Sequence, residues 1–213
     1  MKVALFDFCE TLVSFQSADP YLRYVLEKAK IRVPNKRLNI NFINRVYFHL
    51  FNISICKNTL LRLTKGVPFS RMNEYAGQYY EERIKPGLIK DSIALLRKLQ
   101  QEGYKIYIVS AGFDIYIKYF AQDFNVDKII CSRIKFDNGI SSGKLDGVDL
   151  IGSRKTEVLT KKFNLKSLKA EDSVAVSDSR SDLPLLNYCK RKIVVCQKRP
   201  AWSTNEMEVL LWN

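Results

Sequence analysis

Three aspartates, a serine and a lysine stand where this chain can act on an anionic group. Asp7 ends the apolar run in FDFCETL, Ser110 closes YKIYIVS, Asp178 and Asp182 follow SVAVS, and Lys155 sits in GSRKTEVL. Brought into one crevice, three carboxylates repel and raise one another's pKa unless a cation lies between them. Oxygen ligands of this kind, with room left for water and phosphate, suit Mg²⁺. A hydroxyl and an ammonium beside them offer donors to charge that develops in an in-line displacement. Plainer roles are open to each residue: Asp7 and Ser110 in turns, Asp178 and Asp182 as an N-cap and a first-turn acid. Lys144 is close enough in sequence to rival Lys155 as the amine.

Strands whose carboxyl ends share one edge must hold these residues. KVALFDF, YKIYIVS, KIICS, SVAVS and KIVVC are short, β-rich and apolar, as buried parallel strands read. Helical spacing separates them: Ser92 to Gln101 stopping at Gly103, Phe113 to Phe124, about Arg154 to Phe163, and near Leu183 to Tyr188. Asn138-Gly139 predicts a hairpin. The alternation predicts an α/β, Rossmann-like doubly wound parallel sheet with its chemistry at the strands' carboxyl ends. From Ala18 to about Arg83 the spacing is helical throughout, as in Tyr21, Leu22, Val25 and Leu26, or Ile43, Val46, Tyr47 and Leu50. Pro34 and Gly66-Val67-Pro68 punctuate it. The expectation is a core of residues 1–17 and 84–213, with a small helical cap domain of residues 18–83 inserted after the first strand.

At 213 residues and 46% hydrophobic, the chain can bury a full core. No apolar stretch has the length of a membrane span or reads as a signal core, so a cytoplasmic protein is expected. Five cysteines without CxxC spacing suggest neither a zinc site nor a disulfide framework. The net charge of +13 is concentrated: from Lys28 through Asn73 no residue is acidic and ten are Lys or Arg. An anionic partner or a solvated basic face explains that run. Nucleic acid is not expected, because no finger, RNP-like or helix-turn-helix signature accompanies the charge.

In order, FDFCETLV, VSAGFDI, GSRKTEVL and VAVSDSRSDLPLL resemble the four motifs of the haloacid dehalogenase superfamily, with spacing most similar to its phosphoserine-phosphatase-like branch. The resemblance covers nearly the whole chain outside the helical block. It implies that Asp7 is a nucleophile forming an aspartyl phosphate. Ser110, with Ala111 beside it, would bind the phosphoryl oxygens and Lys155 would neutralise them. Asp7, Asp178, Asp182 and the backbone carbonyl of Cys9 would hold Mg²⁺. The block at 18–83 falls where that branch carries a cap over its substrate.

Two departures from the family pattern bear on the reaction. Cys9 replaces the second aspartate of the first motif, the acid that protonates the leaving alcohol and then activates water. Its loss costs roughly 10²- to 10⁴-fold, the range of general acid–base help. A thiol is mostly protonated at neutral pH and a weak donor, and Glu10 is the surrogate at hand. Gln16 replaces the glutamate that takes the substrate amine in phosphoserine phosphatases, and a neutral amide cannot pair with an ammonium. Phosphoserine itself is therefore not expected. Gln16, Arg62 and Arg71 are the expected substrate contacts beside Ser110 and Ala111. The aromatics Phe42, Tyr47, Phe48 and Phe51 suit a sugar-like phosphate or pack as helix core, and His49 is expected to be packed.

The expected function is a Mg²⁺-dependent phosphatase of a small phosphorylated, anionic metabolite, a sugar phosphate being one candidate. A catalytically weak relative that binds an anionic ligand or partner stays open at this stage. So does a phosphotransferase or a hydrolase of another bond.

Overall fold

The computed structural model describes residues 2–33, 55–162 and 172–212. His49 and the aromatics Phe42, Tyr47, Phe48 and Phe51 lie outside the described residues.

The five apolar runs become β1 (Val3–Phe6), β2 (Lys105–Phe113), β3 (Lys128–Ser132), β6 (Ser173–Ser177) and β7 (Arg191–Cys196); the hairpin gives β4 (Ile134–Asp137) and β5 (Ile140–Leu145), and β8 (Glu208–Leu211) follows. Six of them form one sheet in the order β3-β2-β1-β6-β7-β8, with every neighbouring pair parallel. The short edge strand β8 had no counterpart in the sequence reading, since its residues are half-buried or exposed. Successive side chains of a strand face opposite sides, so a continuously apolar strand feeds two cores. Ala4 and Phe6 pack on one side with Ile108 and Val176, while Val3 and Leu5 pack on the other with Val109 and Ala175.

Helices cover both faces, as expected. They are α1 (Ala18–Lys28), α2 (Ile55–Leu63), α3 (Phe69–Tyr79), α4 (Lys90–Gln101), α5 (Asp114–Asp123), α6 (Arg154–Lys162) and α7 (Leu183–Leu186). Leu96 of α4 and Phe120 of α5 join the first core; Leu159 of α6 and Leu186 of α7 join the second. Where β2 leads into α5 the packing is close: a Cβ on Gly112 would lie 2.7 Å from the Tyr116 hydroxyl and 2.9 Å from Cδ1 of Ile117, so both side-chain ends would have to shift.

The chain leaves the sheet after β1 and returns before α4 along a shared path. Ser14 N–H donates to the Gly87 carbonyl at 2.8 Å and Ile89 N–H to that of Leu12 at 2.9 Å. Between these passages lie α1, α2, α3 and a π-helical turn at Tyr80–Ile84. The hairpin β4–β5 turns at Asn138 (φ 49°) and Gly139 (φ 77°), the left-handed pair such a turn requires. It then docks on the helical insertion. Gly66 N–H donates to Ser141 O and Ser141 N–H to Val67 O, both at 2.9 Å. Among the described residues, no helix is long and apolar enough to cross a membrane.

Candidate active site

Sheet register gathers the polar strand ends. Phe6 is level with Ile108 of β2 and with Val176 of β6, so Asp7 emerges between Ser110 and Asp178. A cavity of about 400 Å³ opens there, and its wall includes Asp7, Ser110, Lys155, Asp178 and Asp182. Lys144, the rival amine, is exposed on β5.

Lys155, in the first turn of α6, is the buried hub. Its Nζ donates to Asp7 Oδ1 at 2.8 Å and to Asp182 Oδ2 at 2.6 Å. Burial opposes its charge, but Asp182 and Asp7 outweigh that and hold its pKa above the ordinary lysine value. Asp182 Oδ2 also accepts from Ser177 Oγ at 2.8 Å. Asp182 was expected among the metal ligands; in the structure its Oδ2 accepts from Lys155 and Ser177, an arrangement that orients the ammonium.

Asp7 and Asp178 remain as facing carboxylates. Burial raises Asp7 to about 6, with Lys155 pulling it down and Asp182 pushing it up. Burial and the charge of Asp7 raise Asp178 to about 8. Thr11 fixes Asp178, donating from Oγ1 to Oδ1 at 2.9 Å and accepting the Asp178 N–H at 3.0 Å. Among the described residues, no three His, Cys, Asp or Glu side chains form a metal cage by themselves. Two carboxylates that repel each other in a buried, oxygen-lined cavity nevertheless fit a hard divalent cation that keeps part of its water shell.

Ser110 is buried, and its Oγ accepts the Gly112 N–H at 3.1 Å, so its own O–H is left to donate. Ala111 and Gln16 also line the cavity. Gln16 Nε2 donates to Glu10 Oε2 at 2.5 Å, while Glu10 itself, at φ 54°, does not line the cavity. Cys9 reaches the cavity, yet its sulfur is turned onto Ser17, with Sγ 3.0 Å from Oγ and accepting the Ser17 N–H at 3.4 Å. Ser17 Oγ is in turn 2.7 Å from the Tyr116 hydroxyl. Burial, then the charge of Asp7, pushes the Cys9 thiol up to about 12.

Arg62 and Arg71, expected as substrate contacts, do not line this cavity. Arg71 is exposed and pairs with Glu74 at 3.5 Å. Arg62 is exposed as well, because five residues along a helix turn it about 140° from Lys57. Among the described residues between β1 and α4, the cation that reaches the cavity is Lys57, one of the ten basic residues of the acid-free run. Its buried Nζ donates to the Ala111 carbonyl at 2.5 Å and to Asp149 Oδ1 at 2.6 Å, and lies 4.7 Å from the centre of the Phe113 ring. A signal for it was present: Lys57, Leu60 and Leu61 share the buried face of α2 at i, i+3 and i+4, and Thr64 just beyond its end continues the pattern at i+7. Asp149 and Thr11 carried no comparable signal.

A family model described as haloacid dehalogenase-like hydrolase matches residues 4–187. The chain is 26% identical over 197 residues to a phosphoserine phosphatase from Methanocaldococcus jannaschii, covering 92% of this chain and 86% of that one. A protein described as of unknown function, from Bordetella pertussis Tohama I, superposes with a TM-score of 0.76 at 19% identity, covering 91% of this chain and 89% of its own. A structure described as a phospho-aspartyl intermediate analogue of phosphoserine phosphatase superposes with a TM-score of 0.65 at 24% identity, over 92% and 86% of the two chains. At these identities the solved structures establish a shared fold.

Proposed function

This chain belongs to the haloacid dehalogenase-like hydrolase family, and we propose that it is a Mg²⁺-dependent phosphatase of a small phosphorylated metabolite, a sugar phosphate in the finer reading. The observation that carries the reading is Lys155 bonded to Asp7 at 2.8 Å, beside the buried Ser110 hydroxyl at the mouth of the sheet.

In this reading Asp7 attacks phosphorus with one carboxylate oxygen, the bond to the leaving oxygen breaks, and an aspartyl phosphate forms. Ser110 O–H and the Lys155 ammonium stabilise charge on the phosphoryl oxygens, and Asp182 keeps Lys155 in place. Asp7, Asp178 and the Cys9 carbonyl would hold Mg²⁺, whose charge would offset that of the phosphoryl group and the carboxylates. Water then cleaves the aspartyl phosphate. The Cys9 thiol, engaged by Ser17, does not deliver the proton that the leaving oxygen takes up, so that proton comes from solvent. Residues 18–83 serve as the cap. A reducing, cytoplasmic compartment is part of this reading.

Phosphoserine is disfavoured, because Gln16 is a neutral amide already engaged with Glu10. A sugar-like leaving group suits the Ser179 and Ser181 side chains and the Gln16 amide, which line the outer cavity. Cys9 supports a second reading, in which the aspartyl phosphate survives long enough to pass its phosphoryl group to an acceptor alcohol.

Phosphate release from a panel of phosphorylated metabolites, with and without Mg²⁺, tests the proposal. Turnover should require the metal and vanish in Asp7→Asn. Turnover that survives Asp7→Asn rules out the aspartyl-phosphate route. Glycerol added as acceptor separates the two readings by the yield of phosphorylated glycerol.

A further inference from the structure

We infer that Asp149 is a specificity-determining residue: by pairing with Lys57 it cancels the positive charge on the leaving-group wall of the cavity, so that the site favours phosphate esters without a carboxylate. The inference rests on the phosphatase reading of the same cavity and names its substrate class.

Lys57 and Lys155 are the two cationic side chains in the cavity wall among the described residues. Lys155 is held among the carboxylates at the phosphoryl end. Lys57 comes from α2, and its Nζ rests on the carbonyl of Ala111, the residue after Ser110. That is where the remainder of a substrate must lie once its phosphoryl group sits between Asp7 and Ser110. An unmatched buried ammonium there would select carboxylate-bearing substrates, because Coulomb attraction is strong where water is scarce.

Asp149 removes that selection. Its Oδ1 is 2.6 Å from Lys57 Nζ, and both side chains are nearly inaccessible, at 7% and 4%. The carboxylate is held in place, since Oδ1 also accepts from Ser132 Oγ at 2.8 Å, and Ser132 Oγ accepts the Leu150 N–H at 3.0 Å. The same wall carries the carboxylate of Asp19 and the amide of Gln16. A substrate carboxylate would meet a matched ion pair, a like charge and a neutral amide. A hydroxyl group can donate to the Asp19 carboxylate and can donate to or accept from the Gln16 amide.

The test uses a glycerol phosphate and the matching phosphoglycerate, which differ only in a hydroxymethyl group against a carboxylate. The natural protein should favour the glycerol phosphate in kcat/KM. Asp149→Asn keeps the shape and one acceptor but removes the negative charge of Asp149 from beside Lys57. It should move the ratio about tenfold or more towards phosphoglycerate, mainly through KM. Lys57→Gln should move the ratio the other way, and merely structural damage would not produce opposite signs. Calorimetric binding of both probes to Asp7→Asn protein, with and without Asp149→Asn, reads the same ratio without turnover. It therefore separates failure of this inference from failure of the phosphatase reading. Where Asp149→Asn does not fold, Ser132→Ala loosens Asp149 and should give a smaller shift of the same sign. An unchanged ratio in folded Asp149→Asn, or in Ser132→Ala where that serves in its place, overturns the inference.

Discussion

The sulfur of Cys9 lies 3.0 Å from the hydroxyl oxygen of Ser17, and that hydroxyl is itself tied to Tyr116. The side chain at the position of the family's proton donor is therefore part of a buried polar chain that runs away from the reacting centre. Departure of the leaving group should depend steeply on its own basicity. We expect aryl and acyl phosphates to be turned over faster than alkyl phosphates, with Cys9→Asp raising alkyl turnover by about tenfold or more. Rates across a series of leaving groups measure this, and a flat dependence in the natural protein would mean that another group donates the proton.

Lys155 separates Asp7 from Asp182, with all three side chains below 10% exposure. Lys155→Met would leave two buried carboxylates without their cation. Breaking such a pair costs about 3–5 kcal/mol, which urea unfolding in metal-free buffer at neutral pH should show. Asp182→Asn, which keeps one acceptor for the ammonium, should cost less. Equal losses in the two variants would contradict the hub role given to Lys155.

In the proposed function Asp7 and Asp178 share a cation, and binding to the native state alone stabilises it by mass action. Mg²⁺ at about 100 times its dissociation constant should add about 2.7 kcal/mol. The rise in Tm should be lost in Asp178→Asn and largely kept in Asp182→Asn, because Asp182 Oδ2 is bonded to Lys155 and Ser177. A shift that disappears equally in both variants would return Asp182 to the ligand set.

At the sheet edge, Arg191 forks onto Glu208 through two bonds of 2.9 Å, joining β7 to β8. The bond from Arg191 holds the Glu208 carboxyl below its ordinary pKa. A depressed carboxyl contributes stability above its unfolded-state pKa and loses it as the pH falls through the folded one. Both side chains are substantially solvent-exposed, so the effect should stay at about 0.2–1 kcal/mol. Unfolding of the natural protein and Glu208→Gln, compared at neutral pH and at acid pH below the folded pKa, should show a gap that closes in acid. A gap of the same size at both would assign it to packing.

The sheet and its two helical layers were legible in the chain, because a buried parallel strand must be apolar throughout and a helix covering it must repeat its apolar face. Asp7, Ser110 and Asp178 were legible for a related reason: each interrupts or ends such a run, and parallel strands bring their carboxyl ends to one edge. Edge strand β8 escaped notice because its residues are only half-buried, so no apolar run marks it.

Pairing was decided by tertiary structure. Lys155 and Asp7 are 148 residues apart, Thr11 and Asp178 167, and Lys57 and Asp149 92. The acid-free run announced excess positive charge, but charge count carries no direction. The turn of α2 sends Lys57 inward with Leu60 and Leu61 and leaves Arg62 in solvent. Asp182 likewise reads from sequence as another carboxylate; only the fold shows that Lys155 and Ser177 meet at its Oδ2. Residue type thus determined which chemistry this chain can perform. Burial and fixed separations in three dimensions decided which groups are charged, which are already engaged, and which face the cavity.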